Sequence, residues 1–110
     1  HTHLTVTEGK RMNDLLQFTF SQSHRKIKIE EVAEVANLSA EAFCRYFKVR
    51  TRKTYTNFLN EVRISNACKM LIEKEKSIQE VCYESGFQNL SHFNRTFKRV
   101  TGKTPKGYLN

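Results

Sequence analysis

The 110-residue sequence lacks the features of membrane-bound and secreted chains. It contains no run of 18 apolar residues, the length at which an apolar segment becomes a candidate transmembrane helix. Its first ten residues, HTHLTVTEGK, contain no hydrophobic signal core. Neither membrane insertion nor secretion is indicated, and we expect a cytoplasmic protein.

Cysteine is scarce, and its spacing is uninformative for metal or disulfide chemistry. The three cysteines, Cys44, Cys68 and Cys82, form neither the C-x-x-C pairs of a zinc site nor the framework of a disulfide-rich secreted domain. The four histidines show no ligand spacing with them. A reducing cytosol fits this pattern, and we predict no bound metal.

Motifs of catalysis are missing as well. The sequence has no Gly-rich phosphate loop, no nucleophile elbow and no pair of acidic residues with the signature of a pocket. We therefore predict that the chain is not an enzyme and needs no cofactor.

Acidic residues are outnumbered by basic ones. The sequence has 19 Lys and Arg against 11 Asp and Glu, a net charge of +8. This excess favours a polyanionic partner, either nucleic acid or an acidic membrane surface, and charge alone does not choose between them. The apolar content of 38% is enough for a folded core.

The most informative feature is an internal repeat. The segment from Ile29 to Asn60 recurs as Ile78 to Asn110, with 12 identities in 32 aligned pairs and one extra residue, Gln88. The copies share aromatic residues at helical spacing with basic residues on the opposite face. The repeated unit is thus predicted to be a small helical module with a cationic surface.

Each copy has the pattern of helix, short turn and helix. In the first copy, Asn37 suits the tight turn and Ser39 suits the cap of the following helix. In the second copy, Gly86 and Asn89 take these places, and the sequence from Ser77 to Glu80 forms a capping box. The aromatic residues on the inner faces are predicted to form the core: Phe43, Tyr46 and Phe47, then Phe93 and Phe97, with Val100.

The pattern divides the chain into four segments. Residues 1–9 show no helical period and are predicted to be a linker or the end of a preceding domain. Residues 10–53 are predicted to form a first helix-turn-helix subdomain, residues 54–73 a long linker helix, and residues 74–110 a second subdomain. Because the chain begins with histidine instead of methionine, we expect a fragment of a longer protein.

The second helix of each copy, at about residues 39–50 and 89–101, carries a polar and basic stripe opposite its aromatic residues. Such a helix fits the major groove of DNA, with its N-terminal residues at base edges and later Lys and Arg residues at phosphates. We predict base contacts from Glu41, Cys44, Arg45, Ser91, His92, Asn94 and Arg95. We predict phosphate contacts from Lys48, Arg52, Lys53, Lys98, Arg99 and Lys103.

The stretch SIQEVCYESGFQNLSHFNRTFKRVTGKTPKGY, residues 77–108, resembles the C-terminal helix-turn-helix of AraC/XylS-type bacterial transcription regulators. The first module and the segment FLNEVRISNACKMLI resemble the other helix-turn-helix and the linker helix of that family. The resemblance implies an all-α domain of about seven helices, with two recognition helices in adjacent segments of the major groove. Thr51-Arg52 departs from it, since a glycine is usual there.

The sequence thus predicts the sequence-specific DNA-binding domain of a transcription regulator, here an activator. Its partners would be double-stranded DNA and RNA polymerase, with a sensor or dimerisation domain preceding this chain. One alternative is a basic helical module that docks on an acidic protein without reading DNA sequence. A second is an enzyme acting on nucleic acid with Cys44 as nucleophile.

Overall fold

The computed structural model describes the backbone of residues 2–109 and the side chains of residues 9–109. Seven α-helices account for most of these residues, and no strand occurs among them. The helices are α1 (Thr2–Gln22), α2 (Ile29–Val35), α3 (Ala40–Thr51), α4 (Tyr55–Glu73), α5 (Ile78–Glu84), α6 (Leu90–Thr101) and α7 (Pro105–Tyr108). The predicted all-α fold is confirmed. None of the helices in the described range is long and apolar enough to cross a bilayer.

The start of the chain differs from the sequence-based expectation. Helix α1 begins at Thr2, so most of the segment that we predicted as a linker has helical backbone. The segment has no amphipathic period, but adding a residue to an existing helix requires only propagation and no new nucleus. The predicted boundary between a linker and the first subdomain remains a prediction, and His1 lies outside the described residues.

The chain forms two compact units. The first unit contains α1 through Gln22 and then Ile27–Asn57, and the second contains Ser23–Lys26 and residues 58–109. This division differs from the predicted one because it gives most of the linker helix α4 to the second unit.

In the first unit, α2 and α3 are joined by the predicted tight turn. Asn37 has a φ of 60°, and the backbone N–H of Leu38 donates to the carbonyl oxygen of Ala33 at 2.9 Å. The Ser39 hydroxyl accepts a hydrogen bond from the backbone N–H of Ala42 and so caps α3. The turn and the cap thus pair the backbone N–H groups of Leu38 and Ala42 where the chain passes from α2 to α3.

The core of the first unit is built around aromatic rings from α3 and α4. Phe43 and Phe47 are fully buried, and the Tyr55 ring meets them edge-on, with centroid distances of 5.2 and 5.4 Å. Tyr46, also predicted to face inward, is only half-buried. The guanidinium groups of Arg11 and Arg50 lie 5.6 and 4.1 Å from the centre of its ring.

The second unit repeats this construction. Ser77 and Glu80 form the predicted capping box at the start of α5, and the Asn89 side chain accepts from the backbone N–H of His92 to cap α6. Gly86 makes the turn with a φ of 111°. The core of this unit consists of Ile64, Ala67, Leu71, Val81, Cys82, Phe87, Phe93 and Phe97.

Helix α4 begins where the sequence predicts. The Thr54 hydroxyl accepts from the backbone N–H of Asn57 at 3.1 Å, which caps the helix. Further along, Arg63 donates to the carbonyl oxygens of Ser23 and Arg25 at 2.9 and 2.8 Å. This arginine therefore fixes the segment that joins α1 to α2 within the second unit.

Val100 does not face inward as predicted, and the turn after α3 forms without the usual glycine. Val100 was predicted to face inward but is 39% exposed, because it lies in the last turn of α6, beyond the packed part of the helix. The turn after α3, where the usual glycine is missing, forms nonetheless. Arg52 adopts the left-handed conformation with a φ of 66°, as Gly102 does after α6 with a φ of 83°.

Candidate nucleic-acid interface

Helix α3 presents one buried and one exposed face. Phe43 and Phe47 point into the core, and the predicted residues on the other side are all exposed: Glu41, Cys44, Arg45 and Lys48. Their spacing of three and four residues places them along one side of the helix. The structure thus brings together the predicted contact residues of the first module.

Helix α6 has the same division between its faces. Phe93 and Phe97 are fully buried, and Ser91, Asn94, Arg95 and Lys98 are all exposed. These four residues occupy the positions equivalent to those of α3 in the internal repeat. The duplication therefore produces two exposed faces of related chemistry, which we call the outer faces of α3 and α6.

His92 is the one predicted base-contacting residue that does not lie fully on an outer face. Its side chain is half-buried, and its ring meets the edge of Phe87 with a centroid distance of 5.4 Å. The structure places it at the margin of the α6 face, packed on the turn that precedes the helix.

Most of the predicted phosphate-contacting side chains are exposed at the later turns of the two helices and just beyond them. Lys48, Arg52, Lys98, Arg99 and Lys103 are exposed, whereas Lys53 is half-buried.

A threonine orders the backbone after each helix. The hydroxyl of Thr51 accepts from the N–H of Lys53 at 3.3 Å, and that of Thr101 accepts from the N–H of Lys103 at 3.1 Å. The repeat thus preserves the geometry that presents the basic residues after α3 and after α6.

A groove runs beside each outer face. The groove at α3 has a volume of about 480 Å³ and is lined by Ile29, Cys44, Arg45, Lys48, Thr54, Tyr55 and Thr56. The groove at α6 has a volume of about 490 Å³ and is lined by Asn94, Arg95, Lys98, Arg99 and Thr104. Arginine, lysine and threonine occupy equivalent positions in both.

The charge of the two helices is almost entirely positive. Glu41 is the only acidic residue in α3, and α6 contains none. The ion pairs described between Lys10 and Asp14 and between Lys76 and Glu84 involve neither helix. The outer faces therefore attract anions, with Glu41 as the local exception.

No metal site is found among the residues whose side chains are described. No group of three or more His, Cys, Asp or Glu residues in this range could hold a metal ion. The cysteines are unpaired, and they differ in environment: Cys44 is exposed, Cys68 half-buried and Cys82 buried. Burial raises the pKa of the Cys82 thiol and keeps it in the neutral form.

Sequence reasoning missed some residues that form these surfaces. Thr54 and Thr104 line the two grooves, and Ile29 lines the first, although none was predicted as a contact residue. The two threonines could have been predicted from the sequence, because they are identical at equivalent positions of the repeat. The contribution of Ile29 could not have been predicted in this way, since it comes from packing α2 against α3.

Two helix-turn-helix units, each with an exposed basic second helix, define a protein of the helix-turn-helix class. A family model described as "Helix-turn-helix domain" matches residues 32–110. The chain belongs to this family, in its AraC-type branch of transcription regulators.

Known proteins show the same similarity in sequence and in fold. The chain is 32% identical over 103 residues to the HTH-type transcriptional regulator YdeC of Bacillus subtilis, an alignment that covers 94% of this chain and 35% of that protein. A transcriptional regulator of Chromobacterium violaceum with an AraC-type DNA-binding domain has a TM-score of 0.84 at 19% identity, covering 93% of this chain and 91% of that one. The DNA-binding domain of AdpA has a TM-score of 0.81 at 24% identity, covering 88% and 87%.

The curated relatives are longer than this chain. It spans 35%, 44% and 48% of the length of the first three that it matches.

Proposed function

We propose that this chain binds double-stranded DNA at an asymmetric site and reads it with two recognition helices, α3 and α6, in adjacent segments of the major groove. The observation that supports the proposal is the duplicated outer face: exposed, basic and opposite a buried aromatic face in both helices. A single basic face is common on surface helices. Two matching faces at equivalent positions of a repeat favour a repeated task.

A related fold supports the choice of DNA as partner. The DNA-binding domain of AdpA, described as a global transcriptional factor, was solved in complex with a target DNA. By this likeness we propose that α3 and α6 enter the major groove, where an α-helix fits and base edges are distinguishable.

Different side chains of the outer faces would have different roles. Arg45 and Arg95 suit bidentate hydrogen bonds to guanine, and Asn94 suits adenine. Ser91 is able to contact several bases, and His92 a base or a phosphate. Glu41 suits cytosine N4 or discriminates against other sites by repulsion.

The remaining basic residues would bind the DNA backbone. Lys48, Arg52, Lys53, Lys98, Arg99 and Lys103 follow the base-contacting turns, so we propose that they contact phosphates. These contacts would fix the register of the protein on DNA without reading sequence.

We further propose the setting in which this domain acts. The domain would belong to a bacterial transcription regulator in the cytoplasm, a longer protein whose other part senses a signal or dimerises. An activator of this kind would also contact RNA polymerase. The greater length of the curated relatives supports a longer protein.

The proposal is tested by footprinting. A site obtained from a random duplex pool by selection with this chain should show protection of two neighbouring major-groove segments. Protection that is absent, or that is equal on any sequence, would indicate a basic module without sequence readout. An Arg45→Ala, Arg95→Ala double variant serves as the control, because it keeps the fold and removes the proposed guanine contacts.

A further inference from the structure

The two outer faces differ at two of their four equivalent positions, Glu41 against Ser91 and Cys44 against Asn94. Arginine and lysine are the same in both, at Arg45 and Arg95 and at Lys48 and Lys98, but Cys44 stands where α6 has Asn94. An asparagine amide forms two directed hydrogen bonds, whereas a thiol behaves mainly as a small hydrophobic group. If the two helices read bases, they must do so by different chemistry at this position.

The surroundings of Cys44 are also apolar. The groove beside it is lined by Ile29 and Tyr55 in addition to basic residues and threonines, whereas the groove beside Asn94 is lined by Arg95, Lys98, Arg99 and Thr104. Cys44 itself is exposed. The groove at α3 therefore offers an apolar surface next to the position where a base edge would lie.

Tyr55 lies at the base of this groove and is held in the core. Its ring is 4% exposed and packs edge-on against Phe43 and Phe47. The Thr19 hydroxyl donates to the carbonyl oxygen of Leu15 at 2.7 Å, so the 2.6 Å contact with Tyr55 has the phenol as donor. With its hydroxyl engaged in the core, the tyrosine supports the groove from below and its side chain offers no free polar group to a ligand.

Among the four bases of DNA, only thymine presents a methyl group in the major groove. We propose that the apolar surface formed by Cys44 and Ile29, with Tyr55 beneath it, takes the 5-methyl group of a thymine, so that α3 selects this base by apolar contact while α6 selects its base by hydrogen bonds. The inference rests on the proposed function, since it assumes that α3 lies in the major groove.

The expected size of the effect follows from the burial of one methyl group. Removing a buried CH₂ costs about 0.8 kcal/mol, and 1.4 kcal/mol corresponds to a tenfold change in affinity. Replacement of that thymine by uracil, which lacks only the methyl group, should thus weaken binding about fourfold.

The test is a uracil scan of the selected DNA site. The half read by α3 is first identified as the half whose base preference relaxes in Arg45→Ala. Each thymine in both halves is then replaced singly by uracil, and the dissociation constant is measured for the wild-type chain and for Cys44→Ser. We expect one position in the α3 half to show the fourfold loss, and Cys44→Ser to reduce that loss to less than about twofold.

A second variant distinguishes the chemistry of the two helices. Cys44→Asn gives α3 the residue found in α6, and it should abolish the response to uracil and shift the selected base toward adenine. Because Cys44 is exposed, both substitutions leave the core intact, which a thermal melt verifies.

The outcomes separate this inference from the function on which it rests. A selected site whose affinity is insensitive to every thymine-to-uracil change in the α3 half overturns the methyl contact and leaves DNA recognition standing. A response to uracil that persists unchanged in Cys44→Ser also overturns it. If no sequence is selected from the pool at all, both the inference and the proposed function are wrong.

Discussion

At the scale of single residues, the two kinds of contact proposed for α6 predict different mutant behaviour. Arg95→Ala should weaken binding to the matched site by about 1–3 kcal/mol and relax the preference at one base pair. Lys98→Ala should weaken binding to all sequences about equally, because a phosphate contact carries no sequence information. Titration of matched and single-mismatch duplexes with both variants measures the difference. An equal loss on matched and mismatched duplexes for Arg95→Ala would contradict its assignment to a base.

Gly86 lies in a turn that leaves no room for a side chain. Its φ is 111°, and a β-carbon there would collide with the carbonyl oxygen of Ser23 and lie 2.7 Å from Nε of Arg63. Gly86→Ala should therefore lower the free energy of unfolding by about 2–5 kcal/mol, the sum of a backbone cost of about 1–2 kcal/mol and an overpacking cost of about 1–3 kcal/mol. Urea denaturation monitored by circular dichroism measures this loss.

Gly102 provides the matched control for Gly86. Its φ is 83°, but a β-carbon there would meet no atom within 4 Å. Gly102→Ala should cost only the backbone term of about 1–2 kcal/mol. Equal losses for the two alanine variants would show that the close approach of Ser23 and Arg63 does not matter.

Arg52 occupies the position in the first module that Gly102 occupies in the second, and there a substitution by glycine should raise stability. It holds the left-handed conformation with a φ of 66°, although it has a β-carbon. Arg52→Gly should thus raise the free energy of unfolding by about 0.5–1 kcal/mol in the same urea experiment. It should also weaken DNA binding if Arg52 contacts a phosphate. A loss of stability would indicate that the arginine side chain contributes more than its backbone strain costs.

At the scale of helices, the two modules differ in how well their first helix is capped. In α5, Ser77 and Glu80 exchange hydrogen bonds, at 2.9 Å to the carboxylate and 3.1 Å to the hydroxyl. In α2, Glu31 accepts from the backbone N–H of Lys28 at 3.0 Å, but lysine supplies no oxygen for the reciprocal bond. Ser77→Ala should lower stability by about 1 kcal/mol, and Lys28→Ser should raise it by about 0.5–1 kcal/mol. Thermal denaturation of the two variants tests both signs.

The capping box of α5 also predicts a dependence on pH. The backbone N–H of Ser77, followed by its hydroxyl, holds the pKa of Glu80 below the ordinary value of 4.5. A lowered pKa in the folded state means that the carboxylate stabilises the fold above about pH 4.5 and that this stabilisation is lost as the pH falls through the lowered pKa. The stability difference between wild type and Glu80→Gln should therefore be present at pH 7 and shrink below pH 4.5. A difference that is the same at pH 7 and pH 3 would contradict this.

The helices that the sequence predicts best are those with a strong local signal. The recognition helices, predicted at about residues 39–50 and 89–101, are found at Ala40–Thr51 and Leu90–Thr101 because Ser39 and Asn89 mark their starts. The helical backbone of residues 2–9 was missed because it has no amphipathic period. The turn at Arg52 could not be predicted from residue preference. The left-handed backbone conformation is unfavourable for arginine, and here the surrounding structure imposes it.

The candidate site also has one part that the sequence predicts and one part that it does not. The outer faces follow from the spacing of residues along one helix, so the sequence identified Cys44 and Asn94 as equivalent positions. The groove beside Cys44 combines side chains from α2, α3 and α4, and no period within a single helix reports such a surface. The half-buried position of His92 depends on its contact with Phe87 and was missed for the same reason.

At the scale of the whole molecule, the net charge of +8 predicts a strong response to salt. If about 6–10 phosphates are contacted, the affinity should fall by about a thousandfold or more between 50 and 200 mM salt, because bound counterions are released. Fluorescence anisotropy with a labelled duplex measures the slope. Lys98→Ala should reduce the slope by about one unit, and a flat response would exclude the phosphate contacts proposed for both modules.

The most direct measurement of the central claim compares DNA selections with three proteins: wild type, Arg45→Ala and Arg95→Ala. If each of the two helices reads its own part of one asymmetric site, wild type should select a motif with two separate conserved halves. Arg45→Ala should then lose base preference in one half only and Arg95→Ala in the other half only. A wild-type motif with a single conserved half, or the loss of the same positions in both variants, would contradict reading by two helices of one chain.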